Sequence, residues 1–325
     1  MGTGLKRNWS DSMRDLIRLS YIVFLSVFTQ FVFANDDFFE SLPRVEVASD
    51  VLVIEGRQEL FHSENYGAIA NSILIDSDRG VLLVDTGSNA LFGEWLKNLA
   101  LEHFGKSIVG VINTHGHPDH WFGNGAFGDV PKLATREMIE YSKGAGADLL
   151  NTLYSSVGDA MVGTQLSIPD LTLGTSVSWG RYEFEVITIN GHSHGDAAFF
   201  DPGTGLLIAG DLVFNGRSPT TPHADISVWI QMLSALESRA PSVVIPGHGP
   251  VDNTLDSIRE TREYLNWLDA YFHSSARDAV DPARLIYEGV PERWQHLKVV
   301  DEEFSRSVVH LYSDYEAEYA QKIQR

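Results

Sequence analysis

The stretch "THGHPDH", residues 114–120, holds three of the chain's 12 histidines and one aspartate within six consecutive positions. Histidines and carboxylates crowded on one turn repel one another and desolvate badly unless a cation sits among them. Imidazole nitrogens bind Zn2+ at roughly 2.0–2.1 Å and carboxylate oxygens at roughly 2.0–2.2 Å. His115 and His117 lie two apart on a loop after the strand-like "SIVGVINTH" (107–115), so both can face one ion. Asp119 and His120 continue round the turn into a helix start and can face a second ion beside the first.

A two-ion site needs ligands from elsewhere, and three more residues qualify. His192 follows "EVITING", Asp211 follows "LLIAG" and His248 follows "VVIPG". Each comes directly after a glycine (Gly191, Gly210, Gly247), which lets the backbone turn sharply into a crowded site. A lone histidine after a strand is more often a cap or a core residue. Four such strand ends together favour a metal centre over that reading.

Strand-like and helix-like segments alternate along the chain. "VLVIEG" (51–56), "AIANSILIDS" (68–77) and "GVLLVDTG" (80–87) are β-branched, apolar and bounded by turn residues. The helical spacing of "NALFGEWLKNLALEHFG" (89–105) follows. Residues 136–157 read as helical in parts, interrupted at Gly144 and Gly146. Strands are expected over 176–191, 197–202, 205–214 and 242–246, with a helix at 227–238. From about Thr254 the chain turns charged and amphipathic, which predicts a helical tail packed on the main body.

Composition narrows the function. The 325 residues are 43% hydrophobic and 21% charged, ordinary for a chain with a substantial core. The net charge of −20 repels phosphate backbones, so nucleic acid is not an expected partner. With no cysteine there is no disulfide, thiolate ligand or cysteine nucleophile. Lys6, Arg7, Arg14 and Arg18 precede the apolar run "LSYIVFLSVFTQFVFA" (19–34), the pattern of a secretory signal peptide cut after Ala34. The expected organisation is a signal at 1–34, a catalytic domain at 35–252 and a helical extension at 253–325, with a periplasmic or secreted location.

"THGHPDH", "GHSHGD", "AGDLVF" and "PGHGP", in that order after "DTG" (85–87), resemble the metallo-β-lactamase fold superfamily over about residues 45–250. The resemblance implies an α/β fold, an αββα sandwich, here with a C-terminal helical extension. It implies one metal on His115, His117 and His192, a second on Asp119, His120 and His248, and Asp211 bridging them. Asp85 matches an aspartate that braces the ligands. The commonest zinc β-lactamases carry cysteine where Asp211 stands, so the pattern leans toward thioesterases, lactonases and phosphodiesterases. The tail stretches "RDAVDPARLIYEGVPERW" and "HLYSDYEAE" resemble a periplasmic subgroup, the quinoprotein relay system zinc metallohydrolases, associated with quinoprotein dehydrogenases and sulfur oxidation.

The expected activity is that of a hydrolase in which a hydroxide bridging two zinc ions attacks an ester, thioester, lactone or related bond of a small molecule. Asp119 both binds metal and orients the nucleophile. Iron or manganese are alternative ions, since His/Asp sites accept several first-row metals. The rival readings are a mononuclear iron oxidoreductase built on His115, His192 and Asp211, a β-lactamase-like amide hydrolase, and a non-catalytic metal-binding scaffold. Specificity is expected in the loops 62–71, 144–165 and 215–226, with Asn65, Tyr66 and Asn71 as candidate substrate contacts. His194 reads as a pocket residue rather than a ligand, and His223 and Asp225 as a solvated loop.

Overall fold

The computed structural model describes residues 37–323, and the signal sequence read at 1–34 lies outside them. The chain divides into two compact units, Met1–Ser41 and Leu42–Arg325. Of the first, the described residues include a helical turn at 37–40. The second holds everything that follows.

Alternating apolar residues generate two sheets that face each other. The first has seven strands side by side in chain order: β1 (Arg44–Ala48), β2 (Val51–Ile54), β3 (Ser72–Ser77), β4 (Gly80–Val84), β5 (Ile108–Ile112), β6 (Lys132–Ala134) and β7 (Leu171–Thr172). Pairing is antiparallel from β1 to β4 and parallel from β4 to β7. The second sheet comprises β8 (Ser176–Trp179), β9 (Tyr182–Ile189), β10 (Asp196–Asp201), β11 (Leu206–Phe214) and β12 (Val243–His248). Its spatial order is β12-β11-β10-β9-β8, antiparallel except between β11 and β12. Residues two apart share a strand face. Val51 and Val53, Ile73 and Ile75, and Leu82 and Val84 therefore meet Phe184, Ala197 and Phe199, and Leu206 and Ile208 in one core layer.

The alternate residues of the second sheet, Ala198, Phe200, Leu207 and Ala209, are buried on its other face. They pack with α4 (Ile226–Ser238) and with the tail helices α5 (Asp256–Arg277), α6 (Pro282–Glu288) and α7 (Val300–Ile323). Trp229, Leu233, Leu265, Phe272, Phe304 and Tyr312 are among the members of that layer. Of the tail aromatics, Tyr264 and Phe272 are fully buried, and Trp267 and Tyr271 lie against them half-buried. Helix α1 (Ala90–Phe104) starts at Asn89, whose side chain accepts the Phe92 N–H, and stops at Gly105 with φ 67°. The sandwich of two mixed sheets with helices outside is the αββα arrangement that the resemblance implies.

One local expectation changes and another sharpens. Residues 136–157 form one unbroken helix, α3 (Arg136–Val157), rather than an interrupted one. Gly146 is accommodated because it faces the Trp121 ring, where an added Cβ would approach to 3.3 Å. The strand-rich stretch 176–191 resolves into a hairpin, because Gly180 at φ 60° turns the chain between β8 and β9.

Candidate metal centre

The seven residues singled out by sequence converge on one edge of the sandwich. His115 and His117 lie on the loop after β5, and Asp119 and His120 on the one-turn helix α2 (Pro118–Trp121). His192 sits between β9 and β10. Asp211 lies within β11, inside the stretch 205–214 expected as a strand, and His248 is the last residue of β12, which runs two residues past the strand end expected at 246. The β11–β12 register shifts around Gly210, which stands at φ 51°. Such an irregularity re-aims the next side chain. Gly247 is required by space, because a Cβ there would lie 1.9 Å from Asp211 Oδ1.

The ligand atoms fall into two groups. His115, His117, His192 and Asp211 form the first, and Asp119, His120 and His248 the second. Asp211 touches both. Its Oδ2 lies 3.7 Å from His115 Nε2, 3.3 Å from His192 Nε2 and 3.3 Å from His248 Nε2, and its Oδ1 lies 3.2 Å from His120 Nε2. Asp119 Oδ2 lies 3.2 Å from His248 Nε2 and 3.6 Å from His120 Nε2. Ligands at the edges of a tetrahedron around zinc stand roughly 3.3 Å apart, given bonds of about 2.0–2.1 Å. His115 Nε2, His120 Nε2 and Asp211 Oδ1 are buried without a hydrogen-bond partner among the described residues. Buried polar atoms left unmatched this way, pointing at one another, fit a pair of cations.

Other residues fix how the imidazoles face. Asp85 takes the Thr114 N–H at 2.8 Å and the Thr114 hydroxyl at 2.7 Å, and receives His120 Nδ1–H at 2.7 Å. Thr114 Oγ1 is in turn 3.0 Å from His115 Nδ1. Both histidines therefore turn Nε2 inward. His248 Nδ1 donates to the Ile69 carbonyl at 2.8 Å, with Arg217 Nη1 2.6 Å away. His117 points Nδ1 at His192 Nε2 (2.9 Å) and Nε2 at His223 Nδ1 (2.9 Å). Asp196 gathers the N–H groups of Gly191, His192 and Ser193 and so holds the His192 loop; burial pushes its carboxyl up to about 6.

Charge in the site is divided. Burial, reinforced by neighbouring histidines, holds His115 and His117 well below the usual imidazole range, and burial does the same to His192. All three are neutral, the state a metal needs. Burial opposes ionisation of Asp119 and Asp211 too, but His120 and His248 outweigh it and hold both carboxyls below their usual range.

The centre floors a cavity of about 340 Å3. Leu60, Phe61 and Ile69, then Leu149 and Leu153, then Thr220, Pro222 and His223 line it, so each of the three loop regions expected to set specificity contributes. The individual contacts differ from the expectations. Asn65 is buried and bonds its own loop, donating to the Leu60 carbonyl and accepting from Gly67 N–H. Asn71 donates to the carbonyls of Pro246 and Gly249. Both are braces, not substrate contacts. Asp225 caps α4 through the Val228 N–H, and His194 is exposed. His223, expected to be merely solvated, holds His117. Arg217 and Arg306 also line the cavity and were not singled out by sequence.

The sequence profile of the metallo-β-lactamase superfamily matches residues 66–248, which span every ligand above. A probable metallo-hydrolase of Streptococcus pyogenes serotype M6 is 28% identical over 202 residues, covering 59% of this chain and 84% of that one. A hydroxyacylglutathione hydrolase of Gloeobacter violaceus is 32% identical over 119 residues, 36% of this chain and 39% of that protein. A solved metallo-β-lactamase from Pontibacter korlensis superposes with a TM-score of 0.55 at 19% identity, over 70% of this chain and 99% of that chain. By profile, fold and ligand arrangement together, the chain belongs to the metallo-β-lactamase superfamily, as a metallo-hydrolase.

Proposed function

We propose that the protein is a two-zinc hydrolase acting on an ester, thioester or lactone of a small molecule. The observation that carries this reading is Asp211, whose two oxygens serve two separate ligand groups on the floor of one cavity. Metal ions held by these residues would supply Lewis acidity toward a water nucleophile and a substrate carbonyl. The chain's own part is positional. Asp119 stays ionised and lines the cavity, where it can orient the attacking water and accept its proton. Asp85 and Thr114 keep His115 and His120 in the tautomer that presents Nε2. A mononuclear iron reading leaves the Asp119, His120 and His248 group without a role. Export, and a place in a quinoprotein relay, are proposed on the pattern of residues 1–34 and on the tail stretches of the sequence.

The test is metal analysis of the purified protein together with a panel of thioesters, lactones, aryl esters and β-lactams. Two zinc ions per chain, both lost along with hydrolysis in Asp211→Ala, is the expected result. Full activity with one ion per chain overturns the two-metal version, and a single iron with oxygen consumption overturns hydrolysis.

A further inference from the structure

We propose that the substrate carries a carboxylate, and that Arg306 of the tail helix α7, together with Arg217, receives it. This rests on the hydrolase reading above and names its substrate class.

The chain carries 44 acidic and 24 basic residues, so its field as a whole repels anions. The cavity wall departs from that average. Among the described residues its only lining carboxylates are the metal-ligand candidates Asp119 and Asp211, while two guanidinium groups, Arg217 and Arg306, face the same space. Both arginines rest on one fully buried carboxylate, Glu303. Arg306 Nη1 bonds its two oxygens at 2.9 and 3.1 Å, and Arg217 Nη2 stands 3.5 Å away. Glu303 matches the buried Arg217, and the second positive charge, on the half-exposed Arg306, is left facing the cavity without an anion of its own.

Donors are available to match it. Arg306 uses only Nη1 among the described residues, so its Nη2 and Nε remain, and its side chain is 46% exposed. The planar fork of a guanidinium suits a carboxylate better than a lone ammonium does. Arg306 is also held in place. Ser307, next to it, bonds the Thr221 hydroxyl at 2.7 Å, and Ser218 N–H bonds the Lys298 carbonyl, so α7 and the 216–223 loop are tied together. Across the cavity, Leu60, Phe61, Leu149 and Leu153 offer an apolar wall. The cavity thus suits an acyl group with an apolar middle and an anionic end.

Two esters of equal chain length decide the matter: 4-nitrophenyl hydrogen glutarate and the neutral 4-nitrophenyl pentanoate. The zinc-loaded protein should favour the glutarate ester in kcat/KM by roughly ten- to a hundredfold, the span of one charge-assisted hydrogen bond. Arg306→Gln should collapse that ratio to near one through a higher KM for the glutarate ester, and Arg306→Lys should restore part of it. Calorimetric binding of glutarate against the neutral pentanamide gives the same comparison without turnover. Equal use of both esters by the parent protein, or a ratio and a glutarate affinity unmoved by Arg306→Gln, overturns the carboxylate site while leaving hydrolysis standing. If neither ester is cleaved, the aryl-ester reading fails, and the glutarate binding difference alone decides the site.

Discussion

Asp85 Oδ2 lies 2.7 Å from His120 Nδ1, and the same oxygen takes the Thr114 hydroxyl proton at 2.7 Å. One carboxylate thereby orients a histidine from each ligand group, because Thr114 passes the constraint to His115. Asp85 also sits at φ 59°, a conformation that asparagine tolerates and most residues do not. Asp85→Asn keeps the backbone and removes the charge. Metal affinity, measured by competition with a chelator, should fall about 10–100-fold. An affinity within twofold of the parent protein would show that the ligands orient themselves.

Gly247 and Gly144 make opposite predictions. A Cβ at 247 would meet Asp211 Oδ1 at 1.9 Å, so Gly247→Ala must displace the bridging carboxylate. Bound metal should drop below two ions per chain, with a stability loss of about 1–3 kcal/mol from the forced shift. A Cβ at 144, within α3, meets nothing within 4 Å. Gly144→Ala should instead stabilise by about 0.5–1 kcal/mol, since alanine favours the helix. Urea titration with metal analysis reads both, and an unchanged metal content in Gly247→Ala contradicts the geometry.

What the sequence made legible follows from how far apart the contacting residues lie. His115 to His120 are neighbours on the chain, and Gly191-His192, Gly210-Asp211 and Gly247-His248 each follow an apolar strand-like run, so the seven residues stand out before any fold is known. The strand alternation at Val51 and Val53 or Leu82 and Val84 likewise declares two buried faces. Asn71 was misread because its partners, Pro246 and Gly249, are more than 170 positions away, and an asparagine on a loop otherwise resembles a substrate contact. Arg306 was invisible for the same reason. In a charged amphipathic helix it looks like solvated surface, and only the packing of α7 across the 216–223 loop brings it to the cavity. His223 owes its role to a ring geometry that spacing does not encode.

Glu303 anchors the tail to the centre. It is fully buried and is the carboxylate facing Arg217, which is itself nearly inaccessible. Removing one member of a buried pair leaves the other charge uncompensated, at a cost of about 3–5 kcal/mol. Glu303→Ala should therefore destabilise the protein far more than Glu288→Ala, whose partner Arg284 is exposed and whose loss should leave the midpoint nearly unmoved. Chemical denaturation of both variants checks this, and similar midpoints would mean that solvent reaches Arg217 and relieves it.

Glu55 gives a prediction with a pH signature. Burial raises its pKa above 4.5, only partly offset by the Val251 N–H that it accepts at 2.8 Å. A carboxyl whose folded pKa is raised favours the folded state while protonated, below about pH 4.5, and that advantage is lost as pH rises through the folded value. At neutral pH the ionised group is therefore a liability. Glu55→Gln keeps an acceptor for Val251 and carries no charge. It should be more stable than the parent protein at pH 7.5, by on the order of 1 kcal/mol or less. The difference should shrink on acidification and vanish below about pH 4.5. Taking the variant against the parent at each pH cancels the titration of the metal ligands. Denaturation midpoints at pH 7.5, 6 and 4.5 give the trend, and an advantage that grows toward low pH would reverse the assigned sign.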